Sequence, residues 1–123
     1  MGAFNWIIVE ETCPVCRQRS TIRCQTHIAS DFDGDTRGLF HDREYHLGDR
    51  MLWWPRGDAR FQGWRVGGRM ENSIPPDSDE EACYSNCTNC GAELCVVVNF
   101  LRAIPRRVVL VAREEDWPPG YNK

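Results

Sequence analysis

Long apolar runs, lysine and helical periodicity are all scarce in this chain of 123 residues. No stretch approaches the ~20 apolar residues that a membrane-spanning helix requires. The N-terminal segment MGAFNWIIVEETC has neither a basic region nor a long apolar core, so we expect no signal peptide. Without an export signal, the seven cysteines do not indicate a disulfide framework. We therefore expect a cytoplasmic protein with reduced thiols.

Recognisable catalytic motifs are absent as well. The chain has no glycine-rich phosphate loop, no G-x-S-x-G turn and no H-E-x-x-H helix. Two of its three histidines, His41 and His46, are five residues apart, which would place them on opposite faces of an extended strand. We expect both to be solvated or structural rather than a metal or acid–base pair. The sequence therefore favours a protein that is not an enzyme.

Two C-x2-C pairs are the most specific feature that is present. One pair lies in CPVC near the N-terminus, and the other in NCTNC, where the glycine that follows suits a tight turn. A gap of two residues lets both thiolates face one ion. Together the pairs predict one structural zinc ion with four thiolate ligands, Cys13, Cys16, Cys87 and Cys90.

The two pairs stand far apart along the chain. From Cys16 to Cys87 the interval is 71 positions, whereas roughly 15–20 residues separate the pairs of a compact zinc site. We interpret residues 30–80 as a β-rich insertion between two hairpins that each carry one pair. Of the other cysteines near these pairs, Cys24 and Cys95 are expected in the core, and Cys83 remains an alternative ligand.

Aromatic and β-branched residues dominate the segments beside the cysteine pairs. Four strands are predicted, over residues 4–12, 20–30, 93–101 and 106–114. The last two contain continuous apolar runs, which predict burial on both faces. The one helix candidate is short, around residues 77–84, and residues 117–123 read as an irregular tail. These patterns predict a single, mainly β domain of the zinc-ribbon type with little helix.

The insertion contains two further patterns. Asp31, Asp33 and Asp35 form D-x-D-x-D, but Thr36 replaces the glycine that a calcium loop needs, so we interpret this stretch as a turn. Further on, arginines alternate with aromatic residues, and Trp53 is expected in the core. The expected partner-binding surface consists of Trp54, Trp64, Arg56, Arg60 and Arg65.

The stretch GDTRGLFHDREYHLGDRMLWW resembles a segment of small, uncharacterised bacterial zinc-ribbon proteins. In that family a G-D-T turn, a Y-x-L-G-D segment and a tryptophan strand stand between two cysteine pairs. The matching positions are Gly34, Asp35, Thr36, Tyr45, Leu47, Gly48, Asp49 and Trp53. The resemblance covers about residues 10–95. It implies a zinc ribbon with an inserted β-unit, and no known activity.

From these features we predict a non-enzymatic protein-binding or adaptor module with one structural zinc. One alternative is a nucleic-acid-binding zinc ribbon, because interleaved arginines and tryptophans suit phosphate contacts and base stacking. The net charge of −3 opposes it. Another alternative is an immunity-type protein that neutralises a basic toxin through the acidic residues near 71–81. No membrane association is expected.

Overall fold

The computed structural model describes residues 4–26, 28–32, 42–52, 61–66, 69–71, 79–102 and 104–121. This part of the chain forms nine strands and one short 3-10 helix, Glu114–Asp116. The strands are β1 (Asn5–Thr12), β2 (Arg19–Thr26), β3 (Ala29–Phe32), β4 (Glu44–His46), β5 (Phe61–Val66), β6 (Arg69–Glu71), β7 (Asp79–Cys87), β8 (Glu93–Leu101) and β9 (Ile104–Arg113). The prediction of a mainly β fold is therefore confirmed. No helix in the described ranges is long and apolar enough to cross a membrane.

Six strands form one sheet in the order β4-β1-β2-β7-β8-β9, and β3, β5 and β6 form a second sheet. Neighbouring strands run antiparallel except β4, which pairs parallel with β1. The centre of the six-stranded sheet thus consists of two long hairpins, β1–β2 and β7–β8, joined side by side through β2 and β7, and β4 and β9 form its two edges. The region predicted as an insertion contributes β4 to this sheet and also supplies most of the second sheet.

The strands next to the cysteine pairs follow the side-chain pattern of the sequence. In β2, Ile22, Cys24 and Thr26 are buried while the residues between them are half-buried, as the alternation predicts. Residues 94–98 of β8 are all buried, which confirms burial on both faces of that strand. In β9, Val108 to Val111 are half-buried: Val108 and Val111 pack against the main core, and Val109 and Leu110 pack against a second cluster on the other face. β9 pairs with a single strand and ends the sheet, so one of its edges lacks a neighbouring strand.

The predicted helix around residues 77–84 is wrong for its described part, because residues 79–84 lie in β7. β7 pairs with β8 along its length and with β2 near its end, for example Cys83 with Val96 and Cys87 with Ile22. These ladder hydrogen bonds outweigh the weak helix-start signal of the acidic residues there.

The sheet curls so that its two ends approach each other. The turn that follows β4 contains Gly48 at φ +91°, and its N–H donates to the carbonyl of Pro105 in β9 at 2.7 Å. The N–H of Leu52 donates to the hydroxyl of buried Tyr45 at 3.0 Å. Within the curl lies the main apolar core: Ile7, Val9, Ile22, Cys24, Ile28, Met51, Cys83, Leu94, Val96, Val98 and Phe100.

The residues after β9 lie across the outer face of the sheet. Trp117 packs on Tyr84, with ring centroids 4.8 Å apart, and its indole N–H donates to the carbonyl of Tyr121. The Tyr121 hydroxyl donates to the Glu80 carboxylate at 2.7 Å. Ala82, Cys95 and Val97 form a small second cluster beneath these rings. The described part of the tail therefore covers an apolar patch that would otherwise face water.

Candidate metal centre

The first cysteine pair occupies the turn between β1 and β2. The backbone N–H of Cys13 donates to the carbonyl of Gln18 at 2.9 Å, and the N–H of Arg17 donates to the carbonyl of Cys13 at 2.9 Å. Arg17 has a φ of +64°, a conformation that residues with a Cβ seldom adopt. These contacts fold the chain into a tight loop that carries Cys16 toward Cys13.

The second pair occupies the turn between β7 and β8 and repeats the same contacts. The N–H of Cys87 donates to the carbonyl of Ala92, and the N–H of Gly91 donates to the carbonyl of Cys87. Gly91 has a φ of +75°. The two loops are therefore equivalent, with Gly91 at the position of Arg17. The turn at Gly91 was predicted from the sequence, whereas nothing in the sequence indicates that Arg17 occupies the equivalent position.

Strand pairing and one threonine bring the two loops together. Ile22 of β2 pairs with Cys87 of β7, so the loop ends of both hairpins lie at the same end of the sheet. Just beyond this pair, the backbone N–H and the hydroxyl of Thr88 both donate to the carbonyl of Thr21, at 3.0 and 2.7 Å. The 71-residue interval between the pairs is thus spanned by ordinary antiparallel pairing of β2 and β7.

The four cysteines of the two pairs form one cluster. All four sulfur atoms lie within 4.8 Å of one another, and no other such group of potential ligands occurs in the described ranges. The Sγ atoms of Cys13 and Cys90 are 3.8 Å apart, and those of Cys16 and Cys87 are 3.9 Å apart. Both of these close contacts join one hairpin to the other. A metal bound here would therefore tie the hairpins together.

The spacing of the sulfurs fits a single tetrahedral ion. A zinc–sulfur bond of ~2.3 Å places the sulfurs of a regular tetrahedron about 3.8 Å apart, and the two shortest distances agree with this value. A multinuclear cluster would hold its outer thiolates further apart. The donor set of four thiolates suits zinc or iron rather than the hard cations calcium and magnesium.

N–H groups donate to two of the sulfurs. The backbone N–H of Val15 donates to Sγ of Cys13 at 3.3 Å, and the side-chain amide of Asn89 donates to Sγ of Cys16 at 3.5 Å. Four thiolates around a divalent cation leave an excess of negative charge, and such donors offset part of it. Asn89 was not predicted as a site residue, although its position between Cys87 and Cys90 indicates that its side chain lies near the sulfurs.

The surroundings separate the pKa values of the thiols. The Asn89 amide, followed by the backbone N–H of Gln18, lowers the pKa of Cys16 to about 6. The Ser20 hydroxyl, followed by the backbone N–H of Cys90, lowers the pKa of Cys87. The backbone N–H of Ala92 favours the Cys90 thiolate, but desolvation and hydrogen bonds with the other three cysteines outweigh it and raise the pKa of Cys90 to about 11. The cluster thus holds thiolate and thiol side by side, ready for a cation that displaces the remaining protons.

The other three cysteines are separate from this cluster. Burial raises the pKa of Cys24 to about 12 and that of Cys95 to about 11, and it raises the pKa of Cys83 well above the ordinary value. All three are fully buried. Cys83 was an alternative ligand, but its thiol faces the core and contacts the carbonyl of Glu81 at 3.6 Å. These residues pack as small apolar side chains.

Several other predicted positions lie outside the described residues: Trp53, Trp54, Arg56 and Arg60, together with Asp33, Asp35 and His41. Trp64 and Arg65 belong to β5, and Asp31 belongs to β3, for which only backbone pairing is described. His46 is exposed in β4, and its backbone N–H donates to the Asp49 carboxylate at 2.8 Å. This contact shapes the Y-x-L-G-D turn, and the exposed His46 imidazole lies 3.8 Å from the same carboxylate.

Comparison with known proteins gives no relative: no family model, curated protein or solved structure matches the chain.

Proposed function

We propose that this chain is a non-enzymatic protein-binding module whose fold is held by one structural zinc ion. The observation that carries the proposal is the cluster of four cysteine sulfurs within 4.8 Å of one another. Four thiolates fill the four positions of a tetrahedral ion. Such a shell leaves no position for a water or a substrate, which is the arrangement of structural rather than catalytic zinc.

The location of the cluster supports a structural role. It lies at the loop ends of β1–β2 and β7–β8, where the pairing of the hairpins rests on only four residue pairs between β2 and β7. The loops themselves lack large buried apolar side chains, and Val15 is 48% exposed. A metal that links Cys13 to Cys90 and Cys16 to Cys87 supplies the cohesion that apolar packing does not supply there.

The binding role rests on the sequence between the two cysteine pairs. Trp54 and Trp64 are interspersed with Arg56, Arg60 and Arg65, and tryptophan and arginine are the usual anchors of protein interfaces. Zinc would act indirectly in this function. It would hold the two hairpins from which this intervening region extends.

Two measurements test the two halves of the proposal. Metal analysis of protein purified without added metal should give close to one zinc per chain, and an iron-loaded site would be revealed by visible absorption.

Immobilised zinc-loaded protein should retain a partner protein in stoichiometric amount from extract of its source cells. Retention should fall when Trp54 and Trp64 are both replaced by alanine. Retained nucleic acid that is released by salt would instead support a nucleic-acid-binding role.

A further inference from the structure

A second surface includes the turn between β8 and β9, at the end of that hairpin away from the cysteine cluster. The nine residues of β8 lead away from the second cysteine loop over roughly 30 Å, and the turn after β8 returns the chain as β9. The hydrogen bond from Gly48 to Pro105 joins this turn to the segment after β4. We refer to residues 47–52, 101, 102 and 104–107 together as the β4–β9 surface.

The β4–β9 surface exposes apolar side chains. Within the described residues, four large apolar side chains are exposed, and three of them lie here: Leu47 at 39%, Leu52 at 40% and Leu101 at 36%. The fourth is Val15 beside the metal site. Single exposed leucines need no explanation, but three leucines on two segments that a hydrogen bond joins offer apolar area for a contact surface.

The same surface carries arginines that have no acidic partner. Arg50, Arg106 and Arg107 are exposed and form no ion pair with any residue of the described ranges. Elsewhere on the sheet, arginines are paired: Arg19 with Glu11, Arg23 with Glu44, and Arg113 with Glu115 and Asp116. From Leu94 to Arg113 the sequence contains arginines and no acid. Asp49 is the one acid in the sequence of the β4–β9 surface, against four arginines, so the surface has apolar side chains and a net positive charge.

We propose that the β4–β9 surface docks an acidic, leucine-bearing segment of a partner protein. The inference rests on the proposed protein-binding function and names the surface that performs it. Guanidinium groups bind carboxylates in a bidentate geometry, and the leucines offer area to apolar side chains that alternate with those carboxylates.

Other anionic partners fit these residues less well. Single-stranded nucleic acid binds by stacking its bases on aromatic rings, and the aromatic residues next to this surface in the described ranges, Tyr45 and Phe100, are only 7% and 3% exposed. Self-association through exposed acids such as Glu93 would appear as concentration-dependent shifts in the absence of peptide, and would overturn the proposal. A partner protein with free carboxylates and leucines remains the best match.

The test uses the zinc-loaded, isotope-labelled protein and measures chemical-shift changes of its backbone amides. The probe is a short helical peptide with leucines at i, i+3 and i+7 among acidic residues, and a matched peptide carries serine in place of each leucine. We expect saturable shifts that centre on the β4–β9 surface, and weaker binding of the serine peptide. Absence of saturation, or shifts centred elsewhere, would overturn the proposal. So would tighter binding of an oligothymidylate or of phosphatidylserine vesicles at the same residues.

A charge-reversed variant tests whether Arg106 and Arg107 contribute to peptide binding. Arg106→Glu combined with Arg107→Glu should weaken peptide binding at least about tenfold, while zinc content stays unchanged. Arg17→Glu is the control, because Arg17 is also exposed and unpaired in the described ranges but lies at the metal end. Equal weakening by both variants would contradict a local surface. The partner-retention assay separates the two proposals. If the Arg106→Glu, Arg107→Glu protein still retains the partner protein, only the β4–β9 surface is refuted. If the wild-type protein retains no partner, the proposed function itself is refuted.

Discussion

Two residues at equivalent positions in the cysteine loops differ in how well they suit their backbone. Arg17 and Gly91 both have positive φ, at +64° and +75°. A residue with a Cβ in this conformation costs roughly 1–2 kcal/mol, and glycine avoids that cost. The first loop therefore carries a strain that the second loop lacks.

This difference predicts opposite effects of two substitutions. Arg17→Gly should raise the free energy of unfolding by about 0.5–1 kcal/mol, since the relief of strain exceeds the greater freedom of glycine in the unfolded chain. Gly91→Ala should lower it by about 1 kcal/mol or more, although a Cβ there meets no atom within 4 Å. Denaturant unfolding of the zinc-loaded proteins measures both. A neutral Gly91→Ala would contradict the assigned loop geometry.

Asn89 is a second single residue that affects the metal site, because its side-chain N–H donates a hydrogen bond to Sγ of Cys16. Asn89→Ala should weaken zinc binding by roughly 10–100-fold, because outer contacts of this kind orient and neutralise the ligand. The comparison is Asn86→Ala, an exposed asparagine of β7 outside the loop. Competition with a chelator measures the affinities, and equal affinity in the two variants would show that the amide has no effect on the metal.

Among the elements, the residues after β9 have a defined energetic role. Trp117 covers Tyr84 and lies over the cluster of Ala82, Cys95 and Val97. Trp117→Ala should lower the free energy of unfolding by about 1–2 kcal/mol, given partial burial and the loss of one aromatic pair. It should leave zinc content unchanged, because the tail lies apart from the cysteine loops.

Tyr121→Phe provides the matched change, since it removes only the exposed hydrogen bond to Glu80. Its cost should stay below about 1 kcal/mol. Thermal unfolding of both variants measures the difference. A Trp117→Ala protein as stable as wild type would mean that the tail is not packed on the sheet in solution.

Prediction from sequence succeeded for elements whose signal is local. The alternation of Ile22, Cys24 and Thr26 gave β2, and the run around Val96 to Val98 gave β8. Prediction failed where pairing with a strand distant in sequence determines the local structure. The acidic start of β7 resembles a helix start until its pairing with β8 is known, and no local signal indicates that the three residues of β4 pair parallel with β1.

The cluster of four cysteines was predictable for a different reason. Each C-x2-C pair supplies two of the four ligands of a tetrahedral site through local geometry alone. Two such pairs therefore predict one site without knowledge of the intervening fold. The resemblance to bacterial zinc-ribbon proteins remains a proposal, although Tyr45, Gly48 and Asp49 do form a compact turn at the end of the sheet.

At the scale of the whole molecule, stability should depend on pH through the metal. Zinc binds thiolates, so it must displace the protons of the cluster, including that of Cys90, whose pKa is raised to about 11. Affinity and stability should therefore fall together as pH decreases from 8 toward the pKa of Cys16, which is about 6.

Thermal unfolding across this range, with and without a chelator, measures the effect. A ligand at a thousandfold its dissociation constant stabilises the folded state by about 4 kcal/mol, which corresponds to roughly 10–20 °C for a chain of this size. The chelated protein should lack most of this pH dependence. An unfolding temperature that is the same with and without the chelator would contradict a structural metal.

The central claim is that Cys13, Cys16, Cys87 and Cys90 hold one zinc ion. Native mass spectrometry after exchange against a chelator tests it most directly. The wild type and Cys95→Ser should each carry one zinc, whereas Cys16→Ser and Cys90→Ser should carry none. Cys95 serves as the control because it lies in the adjacent strand and outside the cluster. A Cys90→Ser protein that retains a full equivalent of zinc would contradict the assignment.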